Sequence, residues 1–374
     1  MIRKKELSFI KNRFKSIPII GILGPRQCGK TTLAKQFCTK IPKKEIHFFD
    51  LENPNDFSAL SNPMAALEDM PGYVIIDEIQ RMPDLFPILR VLADQNKKTR
   101  YLLLGSASPD LLKNSSETLA GRISYLQISG FDIEYAGPDQ SQKLWIRGGF
   151  PRSFLAKSES ESFQWRQDFI STFLERDIPA LGFNIPPQTL RRFWMMLAHY
   201  HGQTFNASEL GKNLGVSDHT AKKYLDILTQ TYVIRQLYPW INNTKKRVVK
   251  TPKIYFRDTG LLHAILQLKN KHDVLGHPKL GASWEGFALE QFILKKGLRP
   301  EEVFFWSIHS SAEIDLVYFE NGQMHGVEVK YSDTPKITSS MKTAITDLGL
   351  KSVTILYPGK KSFKLAPKIF ASPI

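Results

Sequence analysis

The sequence predicts an α/β protein, and three observations carry the prediction. Five apolar runs, IPIIGILG, EIHFFDLE, GYVIIDEI, RYLLLGSA and ISYLQIS, alternate with helical patterns between residues 17 and 135. Near-continuous runs of this kind suit parallel strands covered by helices on both faces, a doubly wound layout. A glycine-rich loop, GPRQCGKT, joins the first run to a helical stretch. From about residue 278 the chain again mixes helix and strand, around a hairpin whose Asn321-Gly322 turn sets its register.

At 374 residues the chain has room for two or three cores. Residues 1–135 form the first predicted domain. Residues 136–186 lose the strand alternation and read as a small helical lid, ending at the Pro186-Pro187 pair. Residues 187–275 contain FNASELGKNLGVSDHTAKKYLDILTQTYVI, two short helical patterns with helix-turn-helix spacing and Ser217 or Asp218 placed to cap the second. Its core would be Leu210, Leu214, Val216, Ala221, Leu225 and Leu228. The next segment, YPWINNTKKRVVKTPKIYF, reads as a basic wing carrying Lys245, Lys246, Arg247, Lys250 and Lys253. Residues 276–374 form the last predicted domain.

The net charge of +15 favours a polyanionic partner, with nucleic acid ahead of an acidic membrane surface. Two cysteines, Cys28 and Cys38, exclude a disulfide framework or a thiolate metal site and fit a reducing cytoplasm. No apolar run is long enough to suggest a membrane span.

GPRQCGKT, Gly24 to Thr31, fits the Walker A pattern, and it follows a strand and opens a helix as that loop requires. Glycine lets successive N–H groups turn inward and make an anion nest at a helix N-terminus. Gly24, Pro25, Arg26, Gln27, Cys28, Gly29, Lys30, Thr31 and Thr32 are therefore the candidate ATP-binding residues. Lys30 would reach the β and γ phosphates, and Thr31 would ligate Mg²⁺. Asp77, ending the apolar run YVIID, would hold the same ion, and Glu78 would be the general base for attacking water. Ser106 and Ser108, after the next strand, would either approach the γ-phosphate or cap a turn. Arg122 is either a transition-state arginine, acting in its own subunit or in a neighbour of a homo-oligomer, or a structural ion pair. Arg147 and Arg152 are weaker candidates for sensing the γ-phosphate.

These residues resemble the AAA-superfamily ATPases, and more closely a group of bacterial and archaeal ATPases with a C-terminal domain of unknown function. The resemblance rests on GPRQCGKTTLA, YVIIDEIQRMPDLFPILR, LLLGSASPDLL, LAGR, GGFPR, LERDI, YFRDTGL and WEGFALEQFI…EIDLV…VEVK, and so spans almost the whole chain. It implies an ASCE-type P-loop NTPase core, a helical lid, a winged-helix element and a nuclease-like C-terminal fold.

The C-terminal order of elements is similar to the restriction-endonuclease-like core of the PD-(D/E)XK nucleases. Asp315 and Glu328-Val329-Lys330 take the positions of that family's acid and acid-x-Lys, and Glu285 takes the place of its additional acid. The sequence departs from the pattern at Ile314, which stands where proline is usual. The resemblance implies a second Mg²⁺ or Mn²⁺ among these carboxylates, with Lys330 orienting hydroxide. Counting from the turn, Asp315 faces Glu328. In the plainer reading of the same register, Glu313 faces Lys330 in an exposed ion pair and the acids merely reach water.

Taken together, the sequence points to an ATP-hydrolysing protein that engages DNA, with Lys222, Lys223, Lys245, Lys246 and Arg247 as contact candidates and Mg²⁺-dependent cleavage as a further activity. The alternative is a nucleotide-gated module for binding DNA or protein, with an inactive nuclease-like domain.

Overall fold

The computed structural model describes residues 2–106, 118–241, 251–308 and 312–374. Ser108, Lys245, Lys246, Arg247 and Lys250 lie outside the described residues. The chain forms two compact units, Met1–Gly130 with Gln230–Tyr232, and Phe131–Thr229 with Val233–Ile374. The Pro186-Pro187 pair falls inside the second unit, where Pro187 opens the helix Pro187–His199.

All five apolar runs of the first unit are strands: β1 (Ile19–Gly24), β2 (Ile46–Asp50), β3 (Gly72–Asp77), β4 (Thr99–Ser106) and β5 (Ile123–Gln127). They form one sheet in the order β2-β3-β4-β1-β5, and every pair is parallel. The interior strand β1, between β4 and β5, is buried at all of its positions, which explains its unbroken apolar sequence. The helix Leu85–Gln95 turns Leu85, Phe86, Leu89, Leu92 and Ala93 inward at helical spacing. These side chains share a core with Val74, Ile76, Tyr101 and Leu103 of β3 and β4. Parallel order has a direct consequence for the site, because it brings the C-terminal ends of β1, β3 and β4 to one edge. Gly24, Asp77 and Ser106 all occupy that edge.

The second unit begins with helices, among them Ser141–Arg147 and Glu159–Thr172, the latter running into a π-helical turn at Phe173–Asp177. Then come the helix Pro187–His199, the short strand β6 (Gln203–Thr204), the helices Ala207–Leu214 and Asp218–Gln230, and the strands β7 (Ile234–Pro239) and β8 (Lys253–Phe256). Ser217 caps the helix that follows it, its hydroxyl accepting from Thr220 N at 3.1 Å. Leu210, Leu214, Ala221, Leu225 and Leu228 are buried as their spacing predicts, and Val216 is half-buried.

The remaining strands are β9 (Val303–Ile308), β10 (Ala312–Glu320), β11 (Gln323–Val329), β12 (Ser352–Tyr357), β13 (Phe363–Ala366) and β14 (Ile369–Pro373). The last two were not anticipated. All join β6, β7 and β8 in a nine-stranded sheet, with β7 pairing β9 through Tyr238↔Phe304 and Pro239↔Phe305. The helix Leu280–Lys296 packs Trp284, Phe287 and Ile293 with Leu316, Val327 and Leu356, while Met341 and Ala344 of the helix Ser339–Leu348 pack with Ile314, Val317 and Val353.

The hairpin register is the one counted from the turn: Glu320↔Gln323, Val317↔Gly326 and Leu316↔Val327. Asn321 and Gly322 have φ of 51° and 73°, the left-handed pair that a two-residue type I′ turn requires. A β-bulge between Ile314 and Val317 interrupts the pairing with β9 and leaves the β10–β11 register undisturbed.

One buried ion cluster ties this unit together. The Glu290 carboxylate accepts from Arg235 Nε at 2.7 Å and Arg257 Nε at 2.9 Å. Burial alone would raise its pKa, but the two guanidinium groups outweigh it and hold the value at about 2. A folded pKa below the ordinary 4.5 means that the stabilisation is complete above that value and is lost as pH falls through it toward 2. Urea unfolding of the wild type should therefore show stability dropping steeply below about pH 5. Glu290→Gln should be destabilised by about 3–5 kcal/mol at neutral pH, since it removes the charge that two guanidinium groups face, and should lose much of that acid dependence.

Candidate functional site

The loop after β1 is shaped by close packing. A Cβ on Gly24 would stand 2.3 Å from the Ile128 carbonyl oxygen, so only glycine fits. Gly29, with φ of 101°, precedes the helix Lys30–Cys38, and Gln27 is also left-handed at φ 61°. The Lys30 ammonium is buried and donates to the carbonyl oxygens of Gly24 and Pro25, both at 3.1 Å. Thr31, half-buried in the same helix turn, donates its hydroxyl to Asp77 Oδ2 at 2.7 Å. The other Asp77 oxygen accepts from Glu78 N at 3.0 Å. Burial raises the Asp77 pKa, with the Glu78 charge adding to it, while the Thr31 hydroxyl and the Lys30 charge oppose the shift. Asp77 is thus a desolvated carboxylate whose remaining partner is a helix-borne hydroxyl, a donor set suited to a hard cation.

Glu78 sits at φ 56°, a conformation costing a non-glycine residue on the order of 1 kcal/mol and common at functional positions. Its carboxylate accepts from the Gln80 side-chain amide. Ser106 closes β4 directly beside Gly24 in the strand register. Arg26 is engaged by Glu52 at 2.8 Å. Cys28 is fully buried, and burial pushes its thiol pKa up, so it packs the loop from below. Thr32 continues the helix, exposed.

The structure does not bring Arg122 to this edge. Arg122 immediately precedes β5, and its carbonyl accepts from Ile19 N at the start of β1, whereas the loop leaves the end of β1. The length of a six-residue strand, roughly 17–20 Å, separates the two. The guanidinium instead makes a two-pronged pair with Asp94 at 2.7 and 2.8 Å, which is the ion-pair alternative. Arg147 is likewise committed. It is buried and donates to the Ala156 carbonyl at 2.6 Å and to Glu159 at 2.9 Å. Arg152 is exposed.

In the second unit Glu285, Asp315, Glu328 and Lys330 do come together, but their partners differ from those the register implied. Lys330 Nζ donates to Glu328 Oε1 at 2.7 Å, not to Glu313. Glu313 receives the ammonium of Lys253 instead. Lys253, counted with the basic wing in the sequence, is therefore not a surface cation, since it is buried at the start of β8. Asp315 Oδ2 accepts from Val329 N at 2.8 Å, and Glu285 Oε1 accepts from the Tyr255 hydroxyl at 2.6 Å. Burial, then the neighbouring Asp315 charge, raises the pKa of Glu285 and of Glu328. Among the described residues no three His, Cys, Asp or Glu side chains converge as a metal-holding group. His201 is fully buried, its Nδ1 accepting from Phe256 N at 3.0 Å, as a structural histidine does. Lys222 and Lys223 are exposed on the helix Asp218–Gln230, with Asp218 3.7 Å from Lys222. Among the described residues no helix is long and apolar enough to cross a membrane.

Three contributors escaped the sequence reading. Arg3 braces the loop from behind, donating to the carbonyls of Cys28 at 3.0 Å and Ser129 at 2.8 Å. A lone arginine ahead of the first strand carries no pattern that would expose this. Gln80 did lie inside the quoted DEIQ stretch. Lys253 opens the otherwise apolar KIYF, and a lysine at the head of a buried strand was the available signal.

Comparison with known proteins identifies the domains in turn. Residues 16–135 match the family model of an AAA domain, and residues 138–272 and 280–374 match two domains of unknown function, DUF8612 and DUF4143. Uncharacterized protein Rv2008c of Mycobacterium tuberculosis and uncharacterized protein Mb2031c of Mycobacterium bovis are each 45% identical to this chain over 372 residues, covering 99% of it and 83% of their own length. Among solved structures, the Walker-type ATPase PABY2304 of Pyrococcus abyssi aligns with a TM-score of 0.53 at 13% identity, covering 71% of this chain and 95% of that one, a likeness of fold. The chain belongs to one family with the two mycobacterial proteins, and its first unit carries an AAA-type P-loop ATPase domain.

Proposed function

We propose that the chain binds and hydrolyses ATP at the loop between β1 and the helix Lys30–Cys38. The observation that carries this reading is the convergence of Lys30, Thr31, Asp77 and Glu78 on one edge of the parallel sheet. The Lys30 ammonium, now satisfied by two loop carbonyls, is the group that would turn to the β and γ phosphates. Thr31 and Asp77 would hold Mg²⁺, which when bound draws charge from the phosphate oxygens. Glu78 would accept a proton from the attacking water, and Gln80 steadies its carboxylate. Ser106, beside Gly24 in the strand register, would meet the γ-phosphate or that water. Arg122 would serve only another copy in a homo-oligomer, and only after leaving Asp94.

Phosphate release and binding of a fluorescent nucleotide test this directly. Lys30→Ala should lose most nucleotide affinity. Glu78→Gln should keep it while turnover falls roughly 10²- to 10⁴-fold. Equal turnover in wild type and Lys30→Ala would refute the reading.

We further propose that the second unit engages DNA, by contacts to phosphate. The order helix, β6, helix, helix, β7, β8 supports a winged helix, and the charge of +15 supports a polyanion. On this reading Lys222 and Lys223 are phosphate contacts. Replacing both with alanine should make the plot of log affinity against log salt shallower by about 2. An unchanged slope would remove that helix from the interface. Of the two roles for the C-terminal domain, binding without cleavage has the better support, because its carboxylates are already paired with protein donors.

A further inference from the structure

We infer that Lys253 is a tethered cation that takes the place of a divalent metal ion in the carboxylate cluster of the C-terminal domain, so that this domain meets its partner without metal-dependent chemistry. The inference is independent of ATP hydrolysis in the first unit. It deepens the binding-without-cleavage reading of the second.

Lys253 reaches the cluster from β8, outside the segment that supplies the acids. Its ammonium donates to Glu313, stands 3.8 Å from Glu285 Oε1, and lies 5.5 Å from the centre of the Phe305 ring. Only 5% of the residue is exposed. Burial works against its charge, and the carboxylates of Glu285, Asp315 and Glu313 around it offset that cost. A lysine held this way is a point charge with three donors on a flexible stem, able to occupy the centre of an acid cluster.

Each carboxylate that a metal would need is already engaged. Glu285 accepts from Tyr255, Asp315 from the Val329 backbone, Glu328 from Lys330 and Glu313 from Lys253. One atom, Glu328 Oε2, is buried with no hydrogen-bond partner among the described residues. The other oxygen of that carboxylate, Oε1, is held by the Lys330 ammonium, so the group already has a cation beside it. Mg²⁺ demands near-octahedral oxygen coordination. An arriving ion would have to expel the ammonium, break these bonds and gather ligands that do not now converge.

The test uses full-length protein, free of nucleotide, in an Asp77→Asn background so that the first unit offers no competing cation site. Mn²⁺ is the probe, read by calorimetry and thermal melting. The tetherless variant Lys253→Met should melt well below its parent and should be restored by about 2–4 °C or more at saturating Mn²⁺, whereas the parent should show no uptake and no shift. If Lys253→Met does not fold, adding Glu285→Gln and Glu313→Gln to it should rescue folding, because the stranded negative charges are then gone. The inference is overturned if the parent takes up one Mn²⁺ that Glu328→Ala abolishes. It is equally overturned if Lys253→Met melts like its parent without metal, or if the added glutamine changes fail to rescue it.

Discussion

The hydrogen bond from the Thr31 hydroxyl to the buried Asp77 carboxylate joins the two halves of the nucleotide site, and the sheet order exists around it. Asp77 ends β3 and Thr31 lies in the first turn after the loop from β1, yet β4 intervenes between those strands. The bond spans a neighbour that must be short-sided at its end, and β4 supplies Gly105 and Ser106 there. Desolvation makes a lone carboxylate expensive, so Asp77 is held by one hydroxyl and one backbone N–H. Both are donors to an oxygen pair that is suited to a cation, which keeps the residue poised without locking it. Lys30 shows the same economy, with its charge spread over two carbonyls of its own loop.

The second unit treats buried charge differently. Glu290 sits between two arginines, and the cluster of Glu285, Glu313, Asp315 and Glu328 contains Lys253 and Lys330. Each of these acids has a protein donor, and all but the half-exposed Glu313 have most of their side chain removed from water. Buried pairs of this kind add little net stability over apolar packing, but losing one partner is costly, so they enforce a single arrangement of strands. Here the arrangement enforced is the junction of β7 and β8 with β9 and β10, since Arg235, Lys253 and Arg257 come from one side of it and Glu290 and Glu313 from the other.

Local patterns made much of this legible. The five strands of the first unit, the cap at Ser217 and the Asn321-Gly322 register depend on residues within a few positions of one another, and periodicity or turn chemistry reports them. What escaped depends on contacts distant in sequence. Arg122 follows a plausible loop, but which end of the sheet it occupies is set by strand direction, not by its neighbours. Lys253 follows closely on the basic run TKKRVVK, and the sign of its burial is that it opens a strand buried along its whole length. The β7–β9 junction rests on two residue pairs and leaves no periodic trace. The small antiparallel pair β13–β14 was missed because its strands are short and half-exposed, with the left-handed Lys368 making the turn that a glycine would have announced.

The central claim is that Lys30, Thr31 and Asp77 are held in reserve for a metal-bound triphosphate. A crystal structure with a non-hydrolysable ATP analogue and Mn²⁺, read by anomalous scattering, tests it most directly. The expected result is one manganese peak between Thr31 and Asp77, with Lys30 turned from the Gly24 and Pro25 carbonyls onto phosphate. An analogue bound elsewhere, or Lys30 still on its carbonyls with no metal at Asp77, would contradict it.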